Sequence, residues 1–513
     1  MTTTENAVEC VKHYKNYGMY NPHKAQLDET NALAEELGMV GFPVEMMQNY
    51  ESNDAGNARR FLDVYGDDVR YCAAEKQWYI CQPDMSWKPD LELLVDKLAY
   101  ESVYNSYAHQ LRFYSVLNGN GQMQRTVAEL EKQQRNMGNL ATLKSCIGMA
   151  QKDVAITPDL FDRAVHLFHM PNATLDVQAM ACVPNQKEYY LTRTAGAAYD
   201  CEAECPRWEQ FVMECVEGDA ELYHYLQKAA GYSILSGDTT EQLVFCLLGG
   251  GKNGKSLFIN TLAEVAGEYA CKIDSAVISM SRRGDGSGEV SKELYRMKGS
   301  RFVYTGEFNK NTLLNEALIK TITDGGKVSC RPLYGASVEY QPTYTLWFST
   351  NNAPELSGFD EGIQRRFVLI PFDHYVAHPD KTLPQTLRDE ASGILNWLAE
   401  GYALYKREGL DKPDCIAQAV KAYLEEQDVF HMFVNEYYTR DDNGKVYAKS
   451  VYDQYRTWCQ YNGEKPVSQV LLSRELLRLG IAKKKDRNGI YYELSGRQYL
   501  QKGESASTVK VCA

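Results

Sequence analysis

The sequence predicts an α/β protein built on a parallel sheet, with a helical region before the sheet and a small unit after it. Three observations carry that reading. Short apolar strands alternate with helical segments between Glu241 and Phe372, the trace that a parallel sheet with crossover helices leaves in a chain. One of those strands runs into a glycine-rich octapeptide that opens a helix, Gly249-Gly250-Gly251-Lys252-Asn253-Gly254-Lys255-Ser256. Upstream, apolar residues recur at three- and four-residue spacing through most of 57–236, as on the buried face of helices. The expected segments are 1–54, which suggests no role; 55–236, mainly helical; 237–375, the α/β core; 376–430, a helical lid; and 431–513, a separate small domain.

Taken in order, Leu91–Leu98 and Val127–Leu140 read as helical, and Arg70–Trp87 as short strands with turns. The core elements are the strand Leu243–Leu248, the helix Ser256–Ala266, and the strands Arg301–Thr305 and Tyr344–Thr350. Leu383–Glu426 returns to helix, with Gly409 and Pro413 marking a boundary inside it. In the last segment Ser450 is placed to cap a helix carrying Val451, Tyr455 and Trp458, ended by Gly463. Ser468–Leu479 offers a second helix stopped by Gly480, and Ile481–Leu494 a hairpin around Asn488-Gly489. Helix, helix, hairpin is the outline of a winged helix.

At 513 residues the chain is long enough for several domains, whose cores need no staples. No apolar run is long enough to span a bilayer, and the N-terminus carries no signal-peptide pattern, so the protein is expected to stay in the cytoplasm where it is made. The 14 cysteines show no paired CxxC spacing and read as reduced thiols. Cys201, Cys205, Cys215 and His224 fit no standard zinc site. A net charge of −13 argues against a protein that coats nucleic acid over its whole surface, but is compatible with a basic channel inside an acidic exterior.

The octapeptide matches the phosphate-binding loop pattern in its strand–loop–helix setting. Backbone N–H groups of Gly249 through Leu257 can turn onto phosphate oxygens at a helix N-terminus. Lys255 neutralises the β- and γ-phosphates, and the Ser256 hydroxyl reaches Mg²⁺. Glu307 ends the strand Arg301–Thr305, where an α/β sheet opens its ligand crevice; water activation and metal contact are its expected roles. Asn351, at the end of the third strand, can hold that water or sense the γ-phosphate. Arg365 and Arg366 precede another apolar strand, and either suits an arginine finger donated to a neighbouring subunit. Between the second and third strands, Lys327 and Arg331 offer phosphate contacts on a glycine-permitted hairpin, with Tyr334 able to stack. Lys483, Lys484, Lys485 and Arg487 fall on the expected wing, either as phosphate contacts or as a solvated charge run.

These residues together resemble the superfamily 3 helicases, specifically the phage/plasmid and poxvirus-type primase-helicase group. The resemblance extends beyond the core. Upstream it rests on Asn57-Ala58 with Arg60, Tyr65-Gly66-Asp67-Asp68, Trp78, Cys205-Pro206 with Trp208, and Gly231-Tyr232; downstream on Asn351-Asn352-Ala353-Pro354, Ile370-Pro371-Phe372, Gly393 through Trp397, and Gly401-Tyr402. It implies an AAA+ type core using ATP and Mg²⁺, a homo-oligomeric ring, usually a hexamer, and single-stranded or forked DNA gripped in the channel. It also implies 3′-to-5′ movement, Lys320 near the neighbour's nucleotide, a separate primase or polymerase as partner, and the host cytoplasm if the source is a phage. Two positions depart from the pattern. Gly306 stands where many such ATPases place an acid, and the hairpin reads Asp324-Gly325-Gly326 where two glycines more often precede the acid. The stretch before the helical region is too short for a primer-synthesising domain, so no primase activity is expected.

The function expected is therefore ATP-dependent translocation on single-stranded DNA with duplex unwinding in phage, viral or plasmid replication. One alternative is a replication initiator or scaffold that uses ATP only to assemble. Another is a small-molecule phosphotransferase, which would have no use for the paired arginines or the basic hairpin.

Overall fold

The structure is a computed structural model and describes residues 50–117, 124–280, 287–308, 312–331, 337–356, 361–463 and 465–497. Asn53 caps the first described helix, α1 (Asp54–Tyr65), its side chain accepting from Gly56 N at 2.9 Å. Strands β1 (Val69–Cys72), β2 (Gln77–Cys81) and β3 (Trp87–Pro89) follow, then helices α2 (Leu94–Leu117), α3 (Gln124–Asn136) and α4 (Leu140–Ala150) and strand β4 (Ala155–Ile156). The strands form one sheet in the order β3-β2-β1-β4, with β4 parallel to β1. Phe61, Val69, Ile80, Val95, Val103, Tyr107 and Ile147 fill the core of this unit. The helix expected from Leu91 starts instead at Leu94, because the Asp90 carboxylate takes the N–H groups of Leu94 and Val95, each at 2.9 Å. Leu91 and Leu93 are left exposed. The expected helix Val127–Leu140 is two helices, α3 and α4, with a turn between them.

The stretch from 155 to 205 holds no α-helix, only a single 3-10 turn at Lys187–Tyr189. It holds strands β5 (Leu167–His169), β6 (Thr174–Asp176) and β7 (Ala181–Val183) in an antiparallel sheet. Pro158, Pro171-Asn172 and Pro184-Asn185 interrupt it too often for a helix to propagate. Phe168, Met170 and Leu175 of this segment pack into the same core as the central sheet.

After α5 (Pro206–Cys215) and α6 (Ala220–Leu235), the central unit runs β8 (Val244–Leu248), α7 (Lys255–Ala266), β9 (Ala270–Lys272), α8 (Ser287–Met297), β10 (Phe302–Thr305), α9 (Glu316–Thr323), the hairpin β11 (Val328–Cys330) and β12 (Val338–Tyr340), β13 (Thr345–Thr350), α10 (Glu361–Arg366) and β14 (Phe367–Pro371). Five strands form a wholly parallel sheet in the order β14-β8-β13-β10-β9. Both faces are buried, as a parallel sheet requires. Phe245, Leu247, Trp347, Val368 and Ile370 face one core, while Val244, Cys246, Leu346, Phe348, Phe367 and Leu369 face the other. Trp347 lies at the centre of the first, stacked on Phe245 at 4.5 Å and donating its indole N–H to Ser233 Oγ at 2.9 Å.

Helices α11 (Leu383–Asp389), α12 (Ala391–Glu408) and α13 (Asp414–Gln427) follow. A Cβ at Gly231 would fall 2.5 Å from Leu398 O and one at Gly401 2.2 Å from Gln227 O, so two glycines let α6 and α12 pack backbone to backbone. The last unit has its own core around Phe433, Tyr455, Trp458, Leu472 and Leu476. It runs α14 (Val429–Tyr437), β15 (Tyr438–Arg440), β16 (Val446–Tyr447), α15 (Ala448–Asn462), α16 (Gln469–Arg478), β17 (Lys483–Asp486), β18 (Gly489–Tyr492) and β19 (Leu494–Gly496). Strand order β16-β18-β17, with β15 on β19, closes it. Ser450 does not cap α15: Val446 and Tyr447 are held against Tyr492 and Tyr491, so the helix starts directly after them. The hairpin turn sits one residue earlier than expected, at Arg487-Asn488, since Asp486 pairs with Gly489 and accepts from Asn488 N at 2.8 Å.

Candidate functional site

The glycine-rich loop leaves β8 and enters α7 as the sequence predicts. Gly254 takes φ +83°, and a Cβ there would meet Cys215 Sγ at 2.6 Å and Phe211 at 3.1 Å. Only glycine fits this bend against α5. Asn253 anchors the loop by donating from Nδ2 to Phe372 O at 2.7 Å. Lys255 is 4% exposed, and its ammonium donates to Gly249 O and Gly250 O at 2.9 Å and to Asn253 Oδ1 at 2.7 Å. Burial lowers the Lys255 pKa, with Glu307 the largest opposing influence. Ser256 is exposed in the first turn of α7.

Three strand ends converge on this lysine. Lys255 also donates to Asn351 Oδ1 at 3.0 Å, and Asn351 Nδ2 donates to Glu307 Oε1 at 2.9 Å. Lysine, amide and carboxylate therefore form one hydrogen-bonded chain across the C-terminal ends of β8, β13 and β10, the side where open α/β sheets bind ligands. Among the described residues no group of three or more His, Cys, Asp or Glu could hold a metal by itself. Ser256 and Glu307 suit a cation that takes its other ligands from bound phosphates and water, as Mg²⁺ does. The Cys201, Cys205, Cys215 and His224 combination forms no metal cluster; Cys205 and Cys215 are buried free thiols.

Beside the loop lies a cavity of about 650 Å³, lined by Gly249, Gly250, Asn351, Asp373 and, from α13, Tyr423. Its volume is within the range of small-molecule sites. Asp373 follows β14 and opposes the lowering of the Lys255 pKa. The sequence reading missed it, although a carboxylate after a core strand is a signal that could have found it.

Arg365 and Arg366 lie at the opposite, N-terminal end of the strands, just before β14, the neighbour of β8. Phe367 pairs with Val244 and Pro371 with Leu248, which sets the arginines roughly 15 Å from the loop on the strand rise per residue. They part company there. Arg365 is exposed, with no side-chain partner among the described residues. Arg366 is 5% exposed and donates to Gly362 O at 2.7 Å, to Gln242 Oε1 at 3.4 Å and to Asp324 Oδ1.

A hairpin forms from β11 and β12, Val328 pairing with Tyr340 and Cys330 with Val338, but Gly325 and Gly326, expected to permit its turn, precede β11 at its root. Lys327 is exposed at its root, whereas Arg331 is exposed towards its tip, with its backbone N–H on Ser291 Oγ at 2.8 Å. Tyr334 lies outside the described residues. In the last unit the four basic residues divide. Lys483 donates to Ser473 Oγ at 2.8 Å and Lys484 pairs with Glu493, while Lys485 and Arg487 are exposed with no side-chain partner among the described residues. No helix among the described residues is long and apolar enough to cross a membrane.

Fold and site together define an α/β protein with its candidate crevice at the C-terminal ends of a parallel sheet. Several of its relatives are viral proteins. Residues 58–217 match the family "D5 N terminal like" and residues 425–495 match "Poxvirus D5 protein-like". The chain is 23% identical over 430 residues to "Putative helicase L207/L206" of Acanthamoeba polyphaga mimivirus, covering 76% of this chain and 44% of that one. It is 22% identical over 327 residues to "Putative helicase 022R" of Frog virus 3, covering 59% and 32%. To "Putative primase C962R" of African swine fever virus it is 26% identical over 247 residues, covering 43% and 25%. The chain thus spans less than half the length of these relatives. Among solved structures, the apo C-terminal region of NrS-1 aligns with TM-score 0.46 and 10% identity, over 84% of this chain and 97% of that one. The matched segments and relatives support a relationship to the primase-helicases of viral DNA replication.

Proposed function

We propose that this chain is an ATP-driven DNA helicase, with an AAA+ core of the superfamily 3 type and a C-terminal winged helix. The observation that carries the reading is the chain Lys255–Asn351–Glu307, which links phosphate-loop lysine, amide and carboxylate beyond the ends of three adjacent strands. The sheet order β14-β8-β13-β10-β9 sets β13, which leads to Asn351, between β8 and β10, and the last unit has the helix, helix, hairpin order of a winged helix.

In this reading Lys255 moves from its carbonyl partners onto the β- and γ-phosphates of ATP, Ser256 and Glu307 would hold the Mg²⁺ that offsets phosphate charge, and Glu307 orients the attacking water with Asn351 beside it. Arg365 is the finger. Its distance from its own loop supports action on a neighbouring subunit, as in a homo-oligomeric ring. Lys327 and Arg331 grip single-stranded DNA. The last unit adds duplex contacts: 428–497 holds twelve Lys and Arg against nine Asp and Glu, in a chain of net charge −13.

ATP turnover with Mg²⁺, with and without single-stranded DNA, tests the reading. Wild type should hydrolyse ATP faster with DNA, and Lys255→Ala and Glu307→Gln should both fall to background. An initiator that uses ATP only to assemble would instead bind nucleotide and keep its assembly in Glu307→Gln, with little turnover even in wild type.

A further inference from the structure

The departure at Asp324-Gly325-Gly326 has a structural counterpart at Arg366. Asp324 closes α9 and stands at the root of the β11–β12 hairpin. Arg366 ends α10, the helix that also carries Arg365. Its guanidinium spans three elements: Gly362 O of α10 at 2.7 Å, Gln242 Oε1 at the entry to β8 at 3.4 Å, and the Asp324 carboxylate. Gly325, at φ +74°, seats the same root against Thr239, its Cβ position 3.2 Å from Thr239 Oγ1.

We propose that Arg366 is a positioning residue that ties the root of the hairpin to the helix presenting Arg365. This rests on the proposed ATPase reading and extends it to a residue pair. Arg366 is buried while the Asp324 carboxylate is half exposed, so moving Asp324 away would take from the guanidinium the one acid it meets among the described residues. The hairpin root and α10 therefore move as one body. When Arg365 engages the nucleotide of a neighbouring subunit, the displacement of α10 reaches Lys327 through Arg366 and Asp324, without passing through this subunit's own phosphate loop. The acid stands ahead of the two glycines because that is where Arg366 reaches it.

The test compares basal ATPase, DNA-stimulated ATPase and forked-DNA unwinding in wild type, Asp324→Asn and Asp324→Glu. Asp324→Asn removes the counter-charge while keeping the shape and a hydrogen-bond acceptor for Arg366, and should cut both DNA stimulation and unwinding about tenfold, within the usual range of coupling between sites, with basal turnover close to wild type. Asp324→Glu, which keeps the charge, should restore most of both. Wild-type stimulation and unwinding in Asp324→Asn would overturn the proposal, and so would equal losses of basal and stimulated turnover in both variants. A wild type without ATPase would remove the reading beneath the proposal, an outcome distinct from a working motor indifferent to Asp324.

Discussion

Asn351 joins Lys255 to Glu307: its amide oxygen accepts from the ammonium at 3.0 Å and its amide nitrogen donates to the carboxylate at 2.9 Å. One side chain thus sets the spacing between the group that binds phosphate and the group assigned to water. Asn351→Ala should lower ATP turnover on the order of 100-fold, the scale of one lost preorganised polar contact. Nucleotide affinity should change far less, because Lys255, Ser256 and the backbone of the loop are untouched. Single-turnover hydrolysis beside equilibrium binding of a fluorescent nucleotide separates the two effects. Equal losses in both would mean that Asn351 only shapes the loop.

The paired arginines should behave differently. Arg365→Ala should leave the melting temperature unchanged and lower turnover by about 1,000-fold, the low end of finger losses. Arg366→Ala removes a buried guanidinium with its bonds to Gly362, Gln242 and the half-exposed Asp324, and should lower the melting temperature where Arg365→Ala does not. Mixing Arg365→Ala subunits with Lys255→Ala subunits should recover part of the ATPase, because some interfaces then pair an intact finger with an intact loop. No recovery at any ratio would count against a finger in trans.

Gly254→Ala should abolish nucleotide binding. The substitution forces an L-residue to φ +83°, which costs about 1–2 kcal/mol, and drives its Cβ to 2.6 Å from Cys215 Sγ. Cys215→Ala relieves the clash but not the backbone strain, so the double variant should regain part of the lost thermal stability and little of the binding. Isothermal titration with an ATP analogue and a melting curve read the two quantities.

In the last unit, Lys485→Ala and Arg487→Ala should each weaken duplex binding and lower the salt slope by roughly 0.9 per lost phosphate contact. Lys484→Ala should do less, since that ammonium is already paired with Glu493. Fluorescence anisotropy across a salt series distinguishes them; identical slopes in all three variants would reduce the wing to a solvated charge run.

The core was legible because each of its signals is local. A strand, a glycine loop and a helix in succession need no long-range information, and Leu248, Lys255, Glu307 and Asn351 fall where the pattern put them. The remainder depends on contacts far apart in sequence. Nothing near Arg366 points to Asp324, forty-two positions earlier, so its burial and Arg365's exposure could not be told apart. Asp373 was passed over because it gains meaning only once β14 lies beside β8. The start of α2 was misplaced because Asp90 caps it from outside its hydrophobic period, and 155–205 because its short strands are held by the core rather than by their own propensity.

The most direct test of the central claim is strand separation on a forked DNA with ATP and Mg²⁺, using wild type, Lys255→Ala and Lys327→Ala. The account predicts unwinding by wild type, none by either variant, and retained basal ATPase in Lys327→Ala. Wild type that hydrolyses ATP and binds DNA yet never separates the strands would contradict it.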